Sequence, residues 1–253
     1  MIKIELTPNY TGVKISGSRD DLIQVVDAIY ALVIDELYES SEYHTVSNRI
    51  LGLCYEIRHA SMGDREVQVA SEELPVFSED GNVIPMTYKI LTYGCYCLFP
   101  EMCFVMMAIN RVINYRINSL TTRTYDTVRD PKVIWDEPIA VMRQLQAAFI
   151  TCMRNELTRN TLTRFRKYLV EGEYSITRMY HHYLDDMNLE FLTYTPQKRE
   201  KSLSVTAKHL SEFLFDEEYL LLKREIDEAA KHMNTDPVNL KFPEQEYPEE
   251  IVW

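Results

Sequence analysis

The segment Tyr55–Val69, YEIRHASMGDREVQV, gathers the residue types best suited to chemistry. Arg58 and His59 are adjacent, and Asp64 and Arg65 follow directly after Gly63. Two arrangements are open. If a helix runs to Met62 and stops at Gly63, Arg58 and His59 lie at its negative end, which stabilises cations and requires no function. If the turn folds back, Tyr55, Arg58, His59, Asp64 and Arg65, joined by Glu101, could hold a phosphate or carboxylate. Arginine would be the bidentate clamp and histidine the acid–base group. Spacing places no nucleophile beside them, which tilts the reading away from an enzyme.

A second group is HHYLDD, His181–Asp186. On a helix His181 faces Asp185 and His182 faces Asp186, so each pair could share a metal. Zinc generally takes three or four protein ligands, and no second cluster is spaced to supply them. No metal or other cofactor is expected. A third group is basic: Arg154, Arg159, Arg164, Arg166 and Lys167, interleaved with Phe165 and Tyr168. Such a face could meet nucleic-acid phosphates. Residues 1–80 and 171–253, however, each carry nine more acidic than basic side chains, against an excess of six basic ones in residues 81–170. Pairing with those acidic flanks is therefore the expectation, and nucleic acid is disfavoured. The stretch TPQKREKS (Thr195–Ser202) reads as a basic, solvated loop.

Phosphate-cradling and nucleophile-elbow signatures are missing: no G-x-x-x-x-G-K-[ST], G-x-G-x-x-G, H-E-x-x-H or G-x-S-x-G. With 7 glycines in 253 residues, a phosphate loop would be hard to build. The composition, 46% hydrophobic and 26% charged, suits a folded chain with a sizeable core. Five cysteines, Cys54, Cys95, Cys97, Cys103 and Cys152, all in apolar settings, suggest free thiols and a reducing, cytoplasmic setting. The opening MIKIELTPNYTGVKISG has no apolar core of a signal peptide. The apolar stretch Ile90–Asn110 is interrupted by Gly94, Pro100 and Glu101, which argues against a membrane span.

Elements must position these groups. IKIEL and GVKIS alternate on either side of TPNYT, a hairpin pattern. Ser18 should start a helix whose apolar face is Leu22, Val25, Val26, Ile29 and Val33. Ser47–Met62 fits either periodicity, and the helix is favoured because Arg, His and then Gly form a helix stop. REVQV and IPMTYKILTY alternate as strands about a turn at SEDGN (Ser78–Asn82). Helices should follow: a buried one from Phe99, a long one capped by Asp136, one starting at Asn160 or Thr161 and ending near Gly172. Further ones are expected at Ile176–Leu189, Val205–Leu214 and Glu217–Met233, the last capped by Asp216.

TPNYTGVKISGS, ILGLCYEIRHASMGDREV and YKILTYGCYCLFPEM together resemble a family of uncharacterised bacterial proteins over roughly residues 1–110. The resemblance implies a bacterial, cytoplasmic origin and brings no catalytic residues with it.

The expectation is an α+β chain. A module over 1–98, with a small, mostly antiparallel sheet on helices, leads into a helical region over 99–253 that packs against it to make one continuous globular unit. The acidic segment 239–253 should dock through Phe242, Tyr247, Ile251 and Trp253, with its carboxylates near arginines of the basic middle. The leading functional expectation is a non-enzymatic binding or interaction module, with a protein partner. The alternatives are a small-anion site at the Arg58 cluster and a nucleic-acid contact.

Overall fold

The computed structural model describes residues 1–33, 43–77, 83–121, 129–237, 240 and 245–253. Strands β1 (Lys3–Leu6) and β2 (Gly12–Gly17) form the expected hairpin. The Thr7 hydroxyl closes the turn, accepting from Gly12 N–H at 3.1 Å and donating to Gly12 O at 3.2 Å. Ser18 caps α1 (Arg19–Leu32) with a reciprocal box: its hydroxyl accepts from Asp21 N–H, and the Asp21 carboxylate accepts from Ser18 N–H.

The ambiguous segment is a helix, α2 (His44–Met62). Ile50, Leu53, Cys54 and Ile57 fall on one buried face at three- and four-residue spacing, and α1 packs there. Gly63, at φ 86°, ends it in the left-handed conformation that a side chain would resist. Then β3 (Glu66–Phe77) and β4 (Val83–Leu98) complete an antiparallel sheet of order β1-β2-β4-β3. The turn expected at SEDGN lies outside the described residues.

Register explains the cysteines. Ile4, Ile15 and Cys95 lie opposite one another across three strands, and Leu6, Val13 and Cys97 form the next such row. Cys95 and Cys97 thus fill small gaps on the inner sheet face. All five cysteines are free and buried. Burial pushes the Cys54 and Cys152 thiols up to about 11 and Cys95 to about 12.

Helix α3 (Phe99–Leu120) starts where β4 stops, with Pro100 in its first turn. It is buried almost all round from Phe99 to Ile113 and touches the sheet, α2 and four of the five long helices that follow it. Those later elements are α4 (Glu137–Glu156), α5 (Arg159–Glu171), α6 (His181–Thr193), α7 (Pro196–Glu212) and α8 (Glu217–Met233). Asp136 and Asp216 cap α4 and α8 as expected. Helix α4 also packs on α1 and β1, so one buried apolar cluster runs through the sheet and the helices.

Three boundaries differ from the sequence reading. The helix expected at Ile176–Leu189 is a 3-10 turn (Ile176–Arg178), an extended Met179–Tyr180 link and then α6. Thr158, rather than Asn160 or Thr161, marks the start of α5 by capping it. TPQKREKS is no loop: Thr195 caps α7, accepting from Lys198 N–H, and Pro196 opens it, so the helix expected at Val205–Leu214 starts at Pro196 and ends at Glu212. No helix among the described residues is long and apolar enough to cross a membrane.

Candidate functional site

The Gly63 turn does fold the chain back. Gly63 N–H donates to Ala60 O and Asp64 N–H to His59 O, which sets Asp64 beside the histidine. His59 Nδ1 lies 3.0 Å from Asp64 Oδ2. Arg65 turns instead to Glu56, placing Nε and Nη2 on its two carboxylate oxygens at 2.7 and 3.1 Å. The Tyr55 ring stands 4.2 Å from His59, and the Arg58 guanidinium lies 5.8 Å from the Tyr55 centroid. Tyr55, Arg58, His59, Asp64 and Arg65 therefore do meet, at the root of the β3–β4 ribbon. Both acid–base pairs answer each other, so an anion arriving at His59 or Arg65 would have to displace a carboxylate, whereas Arg58 pairs with no described carboxylate.

Glu101 is not part of that cluster. It sits on α3, where Arg49 Nη1 donates to it at 3.3 Å and Asn188 Nδ2 at 2.9 Å. Arg49 Nη2 also donates to Asp185 Oδ2 at 2.7 Å and to His181 O at 2.9 Å. Tyr247 donates its hydroxyl to Asp185 at 2.8 Å, and Gln245 donates to Asp186. The aspartates of HHYLDD are thus held by α2 and the final segment. Among the described residues no group of three or more metal-ligating side chains forms. Burial holds the Glu101 carboxyl above its ordinary range, against the pull of Arg49. Burial beside His182 and Arg49 pushes His181 down to about 4.

The basic residues are corrected too. Arg154, Arg159, Arg164, Arg166 and Lys167 are all exposed. Lys167 reaches Glu171 at 3.5 Å, one turn along its own helix. The other four form no ion pair with a described residue, so the pairing expected with the acidic flanks is not found among the described residues.

The final segment docks, though not by charge. Trp253 stacks on Tyr96 at 5.0 Å, Asn9 Nδ2 donates to Trp253 O at 2.8 Å, and Thr11 Oγ1 donates to Val252 O at 2.6 Å. Its described carboxylates, Glu246, Glu249 and Glu250, pair with no described arginine of residues 81–170. Phe242 lies outside the described residues.

Sequence reasoning missed Arg49 and Arg199. Arg199 is 8% exposed and faces neutral acceptors: Phe191 O, Leu192 O, Asn9 O and Thr11 Oγ1. It ties α7 to the end of α6 and to the first turn. A signal was present, since Thr195–Pro196 is a cap followed by a first-turn proline, which puts Arg199 on a helix.

Residues 2–253 match DUF6904, a domain of unknown function. The chain belongs to that family. The match extends through α8 to the last residue, well past residue 110, where the motif resemblance stopped. No curated protein and no solved structure matches this DUF6904 chain.

Proposed function

We propose that the chain is a non-enzymatic interaction module that docks an extended partner segment along its β3–β4 ribbon. One observation carries this reading. Strand β2 pairs with β4 only from Tyr93 to Leu98, whereas β3 continues along β4 to Val83. Among the described residues, 83–92 of β4 thus have a single neighbouring strand. Near the root this ribbon meets solvent on both faces: Val67 (42% exposed), Val69 (59%) and Leu91 (47%) share one face, and Gln68 and Ala70 are exposed on the other.

A two-stranded hairpin alone is marginal in water, and an open strand edge is a template for another chain. Strand addition combines main-chain hydrogen bonds for affinity with side-chain contacts for selectivity. Tyr55 and Met62, both exposed on α2, extend the apolar surface at the ribbon's root. The self-satisfied charges of Glu56–Arg65 and His59–Asp64 support a bracing role there rather than acid–base chemistry. The five free cysteines support a reducing compartment, the cytoplasm, as the place of action.

A photo-crosslinking side chain placed at Val69, in the cells that make the protein, tests the reading. A discrete adduct at Val69, lost on Val67→Asp, is expected. No more adduct at Val69 than at exposed Lys208 on α7 would end it.

A further inference from the structure

Helices α3, α4 and α5 leave a cleft of about 260 Å³ between them. Its floor is apolar, made by Met106, Phe149 and Leu169, with Val170 exposed at the rim. Arg143 and Arg166 stand over that floor.

Two amides hold Arg143 in place. Its Nη1 donates to Asn110 Oδ1 at 2.5 Å and to Gln146 Oε1 at 2.7 Å. Gln146 Nε2 is anchored in turn on Met106 O at 2.9 Å and Asn110 Oδ1 at 3.0 Å, and Asn110 Nδ2 on Leu169 O at 3.3 Å. The amides are consumed by this arrangement, while Nε and Nη2 of Arg143 form no hydrogen bond with a described residue. Arg166 forms no hydrogen bond or ion pair with a described residue either. Glu173 supplies counter-charge to Arg143, but its carboxylate accepts from Asn114 at 2.9 Å and forms no ion pair with the guanidinium. Arg143 is exposed as a residue, yet the packing beside it pulls its pKa down, and Glu173 opposes this.

We propose that this cleft binds a small carboxylate carried on an apolar body. Arg143, pre-oriented by Asn110 and Gln146, presents its free donors as a fork, the geometry that suits a carboxylate. Arg166 adds a second positive charge, and the apolar body covers Met106, Phe149 and Leu169. The site is distinct from the ribbon and from the Arg58 cluster.

Hexanoate is the probe, with hexylamine and inorganic phosphate as controls, followed through the methyl signals of Ile150, Leu169 and Val170. Saturable shifts with hexanoate, and neither control matching them, are expected. Arg143→Gln should raise Kd about tenfold or more, the effect of losing hydrogen bonds from a charged donor. Val170→Glu changes an exposed side chain and brings a carboxylate to the rim, so it should abolish binding with the fold intact. Three results would overturn the proposal: no saturable shift with hexanoate, equal binding of hexylamine, or hexanoate affinity unchanged in both variants. Phosphate binding as tightly as hexanoate would overturn the role given to the apolar floor.

Discussion

Arg49 and Arg199 are both withdrawn from water, one onto carboxylates and the other onto neutral oxygens. The difference sets what their removal does. Arg49→Ala leaves Glu101 and Asp185 facing each other without their cation, and should cost about 2–4 kcal/mol in urea unfolding. Glu101→Gln, which removes a charge that burial already disfavours, should cost under about 1 kcal/mol. Equal losses would refute that asymmetry. Arg199→Lys should still destabilise by about 2–3 kcal/mol, since one ammonium cannot reproduce a planar fork reaching four acceptors. His181 gives a pH signature. Its pKa is about 4 in the fold against an ordinary 6.5, so below pH 6.5 the unfolded chain binds the proton first. The ring's contribution is complete above 6.5 and is lost as pH falls from 6.5 to 4. The melting temperature should fall more steeply over that window in the parent protein than in His181→Asn. At this scale the sequence was a poor guide. It drew attention to Arg58 and His59 because they are adjacent, whereas Arg49, Arg143 and Arg199 matter through partners many residues away.

Elements were far more legible. Local signals decide helix ends, so Ser18, Gly63, Asp136 and Asp216 could be read directly as caps or stops. The error at TPQKREKS arose because charge density was weighed above the Thr-Pro cap. The error at Ile176–Leu189 arose because Met179 and Tyr180 look helical but run extended. Helix α2 offers a paired test of this local logic. An added methyl at Gly52 meets nothing within 4 Å, so Gly52→Ala should stabilise by about 0.5–1 kcal/mol. Gly63→Ala, at φ 86°, should destabilise by about 1–2 kcal/mol. Opposite signs in thermal unfolding are the expected result, and a common sign would mean the helix ends elsewhere. The length of the ribbon was not legible in the same way. Alternation marked β3 and β4 as strands, but nothing local says how far a strand outruns its neighbours.

For the whole molecule, the decisive contact joins the first turn to the last residues. Removing residues 245–253 takes away the Tyr96–Trp253 stack, the bonds from Asn9 and Thr11, and Tyr247 from Asp185. The melting temperature should drop by about 5–10 °C. Affinity for polyanions should not change, because the carboxylates of this segment shield no described arginine. A rise in that affinity would restore a masking role. The docking of Trp253 was legible from its apolar handles, but its target was not, since charge pointed to the arginines and a stacking partner leaves no pattern in sequence. Thr11 and Val252 are 241 residues apart, and that distance has a consequence on the ribosome. At about 5–20 residues per second, roughly 12–50 s pass between the emergence of one and of the other. Through that interval the first turn stands without its cover, and Tyr96 does so from its own emergence onward, a window in which a nascent chain is open to chaperones or to its neighbours on a polysome.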